Sequence, residues 1–349
     1  MARRSKHATR PQWLTCRGPG YPYVLSSRAR IARNLDGLPF PCACDEEDLE
    51  RVRGTVLEAV AHRVAPEKDW QITFAEEMNR EQLEIMAEEH VTSPTFGERP
   101  VGRAIATRFK EGRSVSINEE DHIRIHAVLP GAQLEKAWRS ADEVDGKIEG
   151  EIRYAFDQKL GYLTSCPSNV GTGLRLSSML HLPALMITGE MAKTMTALGQ
   201  AGVFIRGLYG EGAGVAGNIV GLSNRRTMGQ SEESIASNLD RVVSQVVDNE
   251  RTVRKMMMRE DPIEVSDSVW RALGVVERAR KLCFFEALEL LSLVKLGVDL
   301  EILPVSDFNM LDAVVSIAPY HVRRALDTDA EERDADVERA PRLRMLLEI

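Results

Sequence analysis

The chain has 349 residues, 43% of them hydrophobic and 28% charged, with a formal net charge of −8 at pH 7. That length exceeds one small domain, and the composition is that of a soluble globular protein. The acidic balance argues against a nucleic-acid binder, and no apolar run approaches the roughly 18–20 residues that cross a membrane.

The five cysteines (Cys16, Cys42, Cys44, Cys166, Cys283) are odd in number and contain no C-x-x-C pair, which points to a reduced, cytoplasmic setting. Residues 1–10 carry four basic side chains with no apolar segment behind them, so residues 1–20 read as a disordered basic arm and not a signal peptide. Residues 21–27 read as a strand leading into Arg28, Ala29, Arg30 and Ile31. Alternation puts Arg28 and Arg30 on one side, where they either bracket an anion or decorate a solvated edge. Residues 45–62 follow helical spacing, with Leu49, Val52, Val56, Leu57 and Val60 on the apolar face. A short strand is expected at 71–74 and an acidic helix at 79–90, at whose end His90 either caps the helix or touches a ligand. Residues 103–109 and 114–128 look like antiparallel strands paired around 110–113. Glu119, Glu120 and Asp121 interrupt the second of them. Three adjacent carboxylates cost stability unless exposed or met by a cation, so 118–124 is either a functional segment or an exposed bulge.

Residues 135–160 are expected to form a long helix or helix pair. The stretch 163–173 is a small-residue loop, and Leu174, Ser178, Leu180 and Leu182 predict a buried helix behind it, with Arg175 in its first turn. Free N–H groups at such a helix start suit an anion, and a cation there is unfavourable without one. Cys166, at the mouth of the loop, is either a reactive thiol or a structural one. Residues 201–211 read as a strand entering a glycine-rich loop, and 217–224 as the strand that leaves it. Gly212, Gly214 and Gly217 fit G-x-G-x-x-G, but they lead into a strand where a dinucleotide site needs a helix; a mobile flap is the better reading. Ser231 caps a helix whose buried stripe is Ile235, Leu239, Val242, Val246, Val253 and Met257. A domain boundary is expected at 259–264, followed by helices at 266–296, 306–318 and 320–326 and a charged segment to Ile349. Leu273, Val276, Leu282, Phe285, Leu288 and Leu291 form an apolar stripe that either packs inside the small domain or makes part of a two-fold dimer contact.

Five arginines stand at strand ends or loop mouths: Arg28, Arg30, Arg124, Arg175 and Arg206. Glu120 lies four residues before Arg124, and Glu211 five after Arg206. Phosphoryl transfer needs this division of labour, with cations around a polyphosphate and a base that orients the nucleophile. The segments Ser26-Ser-Arg-Ala-Arg30, Asn118-Glu-Glu-Asp-His-Ile-Arg124, Cys166-Pro-Ser-Asn-Val-Gly-Thr-Gly-Leu-Arg175 and Arg206-Gly-Leu-Tyr-Gly-Glu211 resemble, in order and spacing, the motifs of the phosphagen (guanidino) kinases. Within that superfamily the chain looks most like the bacterial protein-arginine kinases. Roughly 25 residues precede Ser-Ser-Arg where small-molecule guanidino kinases carry a helical domain, and a helical domain follows instead.

The resemblance implies an α+β fold: a catalytic domain (21–260) with a curved antiparallel sheet flanked by helices, then an all-helical domain (261–349) for dimerisation or regulation. It implies that Arg28, Arg30, Arg124, Arg175 and Arg206 hold the ATP phosphates, with His90 near the nucleotide. The backbone at Ser27, Ala29 and Ile31, at Leu176, Ser177, Ser178 and Met179, and at Gly207, Leu208, Tyr209 and Gly210 would complete the site. Glu120 and Glu211 would grip the substrate guanidinium, and Cys166 would lie against it as a thiolate. Magnesium would be held mainly by phosphates and water. An arginine is protonated and a poor nucleophile until a carboxylate takes its proton, which agrees with those roles. The implied activity is ATP-dependent phosphorylation of protein arginines in quality control or stress response. The implied partners are protein substrates, an activator protein, a protease or unfoldase system and a second copy of the chain. The alternatives are a kinase of free arginine or another small guanidino compound, and a silent nucleotide- or phosphoarginine-binding adaptor. The branch also carries an Arg-Asp-x-x-Arg-Ala phosphoarginine pocket. Here Asp336, Arg339 and Ala340 match it, but Ala335 stands where its first arginine would be.

Overall fold

The computed structural model describes residues 10–64, 70–208, 215–326 and 331–349. The first elements are α1 (Gln12–Thr15), β1 (Val24–Arg33), α2 (Glu46–Ala59), β2 (Gln71–Phe74), α3 (Arg80–Glu88), β3 (Ala104–Arg108), β4 (Arg113–Ile117) and β5 (Ile123–Pro130). Next come α4 (Leu134–Glu149), β6 (Phe156–Asp157), β7 (Gly161–Tyr162), β8 (Leu174–His181), α5 (Pro183–Ile187), α6 (Met191–Gln200), β9 (Val203–Arg206) and β10 (Ile219–Asn224). The remainder is helical: α7 (Glu232–Glu260), α8 (Pro262–Arg278), α9 (Phe284–Asp299), α10 (Met310–Ser316), α11 (Pro319–Arg323) and α12 (Glu332–Leu347). Eight strands make one sheet in the order β2-β3-β4-β5-β1-β8-β10-β9, and β6 pairs with β7 separately. The fold is α+β, an antiparallel sheet flanked by helices with a helical C-terminal region.

The chain divides into two compact units, one holding the described residues of Met1–Gly18, Ser26–Ser177 and Asn224–Leu239, the other Pro19–Leu25, Ser178–Ser223 and Asp240–Ile349. In the first, β2 to β5 and β1 are paired antiparallel, in a register that opposes Arg30 to His126, Ala32 to Arg124, Ser114 to His126 and Ser116 to Arg124. Because side chains alternate across a sheet, this register sorts the residues onto two faces. One face carries Ala29, Ile31, Val115, Ile117, Ile125 and Ala127, all buried, under α4 with its stripe Leu134, Ala137, Trp138, Ala141, Val144 and Ile148. The other carries Arg28, Arg30, Arg124 and His126. Towards β3 that same face becomes apolar, where Ile105 packs with Ala75, Leu83, Val91 and Phe96 under α3.

The helix-covered face is pinned by a buried ion pair. Arg33 donates from Nη2 to Asp145 Oδ2 at 2.6 Å and from Nη1 to the carbonyls of Ala32 (3.0 Å) and Thr172 (2.8 Å). Its guanidinium lies 3.5 Å from the centre of the Tyr162 ring. Burial raises the Asp145 carboxyl above its ordinary value, with Arg33 working against that shift. Gly173 has φ +64°, and a Cβ there would meet Arg33 Nη1 at 2.5 Å and the Ala32 carbonyl at 2.6 Å, so only glycine lets the loop pass.

Three expectations are corrected. Residues 174–181 form a strand: Leu174, Leu176, Leu180 and Leu182 are fully buried at period two, and the apolar spacing taken for a helix is one side of that alternation. Arg175 therefore projects from a sheet, and no helix dipole acts on it. Residues 150–160 are not helical; α4 stops at Glu149 and the chain turns into β6. Residues 1–9 lie outside the described residues, but the arm is ordered from α1, where Trp13 and Leu14 are buried.

In the second unit, α8 and α9 pack as a hairpin. Leu273, Val276, Leu282, Leu288 and Leu291 are all buried within it, and of the expected stripe only Phe285 is exposed. The α9 helix is also tied to residues before 260: Ser292 Oγ lies 2.8 Å from His181 Nε2 and accepts from Asn218 Nδ2 at 2.8 Å.

Removing one partner of a buried ion pair leaves the other charge uncompensated. Asp145→Ala should cost about 3–5 kcal/mol in urea unfolding. Glu135→Ala, which removes an exposed partner of Arg139, should cost less than about 1 kcal/mol. Equal losses would show that Arg33 does not depend on Asp145.

Candidate active site

The polar face of the sheet in the first unit gathers four guanidinium groups, from Arg28 and Arg30 on β1, Arg124 on β5 and Arg175 on β8. Arg30 is held well below its ordinary value, first by burial and then by Arg124, Arg28 and Arg175, with Glu119 pulling the other way. Like charges held this close ask for an anion of several oxygens. Arg175 is buried and donates from Nη2 to Ser168 Oγ and Asn169 Oδ1, both at 3.2 Å. Arg28 donates from Nη2 to Nδ1 of His126 at 2.8 Å.

The three consecutive acids form the turn between β4 and β5, and the structure gives each a different position. Glu119 is buried and accepts from Arg124 Nη1 at 2.5 Å, while its Oε2 is buried with no hydrogen-bond partner among the described residues. Glu120 accepts from Arg124 Nη2 at 2.6 Å, with its side chain 41% exposed, so it alone of the three can meet a substrate in solution. Asp121 is wholly buried and accepts from Asn34 Nδ2 (2.8 Å) and from the backbone N–H of Ser165 (2.7 Å). That last bond fastens the acidic turn to the residue beside Cys166. Asn118 takes φ +58° and donates to the carbonyls of Leu49 and Gly102, which closes the turn.

Cys166 is half-buried, and its Sγ lies 3.0 Å from Ser168 Oγ, the same hydroxyl that Arg175 contacts. Thr227 donates to the carbonyls of Ser168 (3.0 Å) and Val170 (2.7 Å) and anchors this loop. His90 ends α3 with φ +55°, its N–H on the Ala87 carbonyl at 2.9 Å, so it does close the helix. Its ring is 6.1 Å from that of Trp13, and burial followed by Arg28 pushes it down to about 4. Ala29, Ile31 and Leu176 point into the core, and Ser27 bonds Gly131, so these residues offer a ligand backbone only. Ser177 ends the first unit. Ser178, Met179, Arg206, Gly207 and Leu208 belong to the second, and Tyr209, Gly210 and Glu211 lie outside the described residues.

Sequence reasoning missed His126 and Ser168, and it singled out Glu119 and Asp121 only as members of the 118–124 segment, without the separate positions they take. Period two would have put His126 beside Arg124, but no sequence signal separates a buried Glu119 from an exposed Glu120. In the second unit, Arg339 is buried and donates to the carbonyls of Ile317 (2.9 Å) and Leu282 (2.7 Å) and to Asp336 Oδ1 (2.5 Å). Arg339 and Asp336 therefore meet, in bonds that hold α12 to its own unit, and Ala340 is fully buried.

Residues 51–253 match the family model described as ATP:guanido phosphotransferase, C-terminal catalytic domain, and residues 262–349 match Protein-arginine kinase McsB C-terminal domain. The chain is 38% identical over 329 residues to a protein-arginine kinase of Halothermothrix orenii, covering 94% of each. It is 40% identical over 339 residues to one of Moorella thermoacetica, covering 96% of this chain and 97% of that one. Among solved structures, lombricine kinase superposes with a TM-score of 0.58 at 24% identity over 67% of each chain. A duplicated taurocyamine kinase of Schistosoma mansoni gives 0.61 at 22% identity, over 76% of this chain and 38% of that one. The two structural likenesses are statements about fold.

Two predictions follow from this geometry. Alkylation of Cys166 should abolish turnover, because its Sγ shares the Ser168 hydroxyl with Arg175; alkylation without loss of activity would make the thiol structural. His90 and His122 are both pushed down to about 4, first by burial, from an ordinary 6.5. Between those values the unfolded chain binds protons that the folded chain refuses, so stability should fall as pH drops from 6.5 to 4. Urea midpoints at pH 7, 5.5 and 4.5 check this, and a flat series contradicts it.

Proposed function

The chain belongs to the ATP:guanido phosphotransferase family, in its protein-arginine kinase branch, and on that premise we propose that it transfers the γ-phosphoryl group of ATP to arginine side chains of proteins. The observation that carries the reading is the set of four guanidinium groups converging on one sheet face, with an exposed carboxylate and a thiol at its edge.

Arg28, Arg30, Arg124 and Arg175, joined by Arg206, would take the ATP phosphates, with backbone at residues 27–31, 175–179 and 206–210 and with His90 near the nucleotide. The residues present fit that ligand, since clustered cations supply what the triphosphate charge requires. Magnesium would be held by phosphate and water oxygens and would screen charge on the transferred group. Arg124 bonds both Glu119 and Glu120. Phosphate on Arg124 would leave Glu119 as its protein partner and release Glu120 to the target arginine. Glu120 and Glu211 would then fork the target guanidinium, with Cys166 against it. The target nitrogen attacks the γ-phosphorus, the bond from that phosphorus to the ADP oxygen breaks, and Glu120 accepts the proton.

The catalytic domain is assigned to residues 21–260. Residues 261–349 are assigned to regulation and self-association, with Asp336, Arg339 and Ala340 as a partial phosphoarginine pocket. A cytoplasmic homodimer that works with an activator protein and a protease or unfoldase in the stress response is the setting that suits such a kinase.

Incubation with ATP and either an unfolded protein or free arginine, read as acid-labile phosphate, tests the reading. Label on protein is expected; label only on free arginine would favour the small-guanidine kinase, and no label would leave an adaptor. Glu120→Gln and Glu211→Gln should each lower kcat by about 10²-fold or more while ATP affinity stays within a few-fold. Near-normal turnover in both would remove their assigned role.

A further inference from the structure

The face that carries Arg28, Arg30 and Arg124 also carries a histidine that no part of the transfer chemistry uses. His126 is 1% exposed, opposed in register to Arg30 on β1 and Ser114 on β4. Its Nδ1 lies 2.8 Å from Arg28 Nη2. A guanidinium has only donors and keeps its proton, so Nδ1 must be the acceptor and the single ring hydrogen must sit on Nε2. The tautomer is thereby fixed by its neighbour.

The charge state is fixed as well. Burial, then Arg28, Arg124 and Arg30, hold His126 well below its ordinary value, which favours the neutral ring that accepting from Arg28 requires. Neutrality matters at this position. A carboxylate would bind Arg28 as well but would cancel charge intended for a polyphosphate. A cation would repel it. A long arginine side chain pushed by like charges is held in place by an acceptor that leaves its charge intact, and a buried strand residue supplies one at fixed depth.

We propose that His126 is a positioning residue for phosphate binding: a neutral, strand-mounted acceptor that holds the Arg28 guanidinium among its fellow cations without neutralising it. This rests on the reading that the arginine cluster receives the ATP phosphates. It predicts an unusual ranking of substitutions. His126→Ala should weaken ATP binding about tenfold, the effect of losing one hydrogen bond to a charged group, with kcat changed less than threefold. His126→Gln offers a neutral acceptor and should restore most of the affinity. His126→Glu keeps an acceptor but cancels charge, and should bind ATP no better than His126→Ala.

Calorimetric Kd values for ATP and for inorganic tripolyphosphate, with kcat beside them, read this ranking, and circular dichroism confirms that each variant is folded. Wild-type turnover tests the kinase reading separately, and tripolyphosphate affinity tests His126 whether or not turnover is seen. A folded His126→Ala variant within twofold of wild-type Kd, a Gln variant no better than Ala, or a Glu variant that binds like wild type would each overturn the proposal. Should the Ala variant not fold, the comparison of Gln with Glu decides. Nitrogen-15 spectra of wild-type His126 give an independent result: hydrogen on Nε2 is expected, and hydrogen on Nδ1 or on both nitrogens overturns the assignment.

Discussion

Four guanidinium groups brought onto one face of a sheet repel each other, and the first unit is arranged to keep them there. Neighbouring strands lie about 4.8 Å apart, so side chains on one face cannot move away as loop residues would. Burial first, then Arg124, Arg28 and Arg175, hold Arg30 well below its ordinary value, with Glu119 pulling the other way. Glu119 and Glu120 meet part of that positive charge through Arg124, and an anion with several oxygens is the kind of ligand such a face suits. Preorganised cations of this kind need no rearrangement at the moment of reaction.

The other elements of the unit hold that face in position. On its reverse, α4 covers Ile31, Ile125 and Val115, and the Arg33–Asp145 pair locks the end of β1 to α4 and to the loop before β8. At its edge the acidic turn is braced by Asn118 and Asp121, and the bond from Asp121 to the Ser165 N–H brings the cysteine loop to the carboxylate that reaches solvent. Glu119 supplies Arg124 with a buried counter-charge that does not compete for solvent substrates. Three adjacent acids so divide into one that balances a cation, one that faces outward and one that ties two loops together.

The C-terminal helices obey the same accounting of buried charge. Lys295 is fully buried between Asp299 and Asp307, and Arg254 between Glu250 and Asp299, so each cation has its acids within the second unit. Arg339 is satisfied by two carbonyls and Asp336. It holds α12 in place as a staple would.

Much of the fold and most of the candidate residues were legible in the chain alone, because the physics that placed them is local. Alternation fixes that Arg28 and Arg30 share a side, helical spacing fixes α2, α3, α4 and α7, and the order of four polar motifs carries the resemblance to the guanidino kinases. What lies between distant residues was not legible. Residues 174–181 read as a helix because Leu174, Ser178 and Leu182 satisfy a spacing of four as well as of two, and only burial between two neighbouring strands chooses the strand. Which of Glu119, Glu120 and Asp121 faces solvent depends on where Arg124, Asn34 and Ser165 arrive, at separations of up to 87 residues. His126 has no motif at all. Its contact with Arg28 exists only because β1 and β5 align in the register that opposes it to Arg30, two positions from Arg28 on the same face, and register is a property of two strands together.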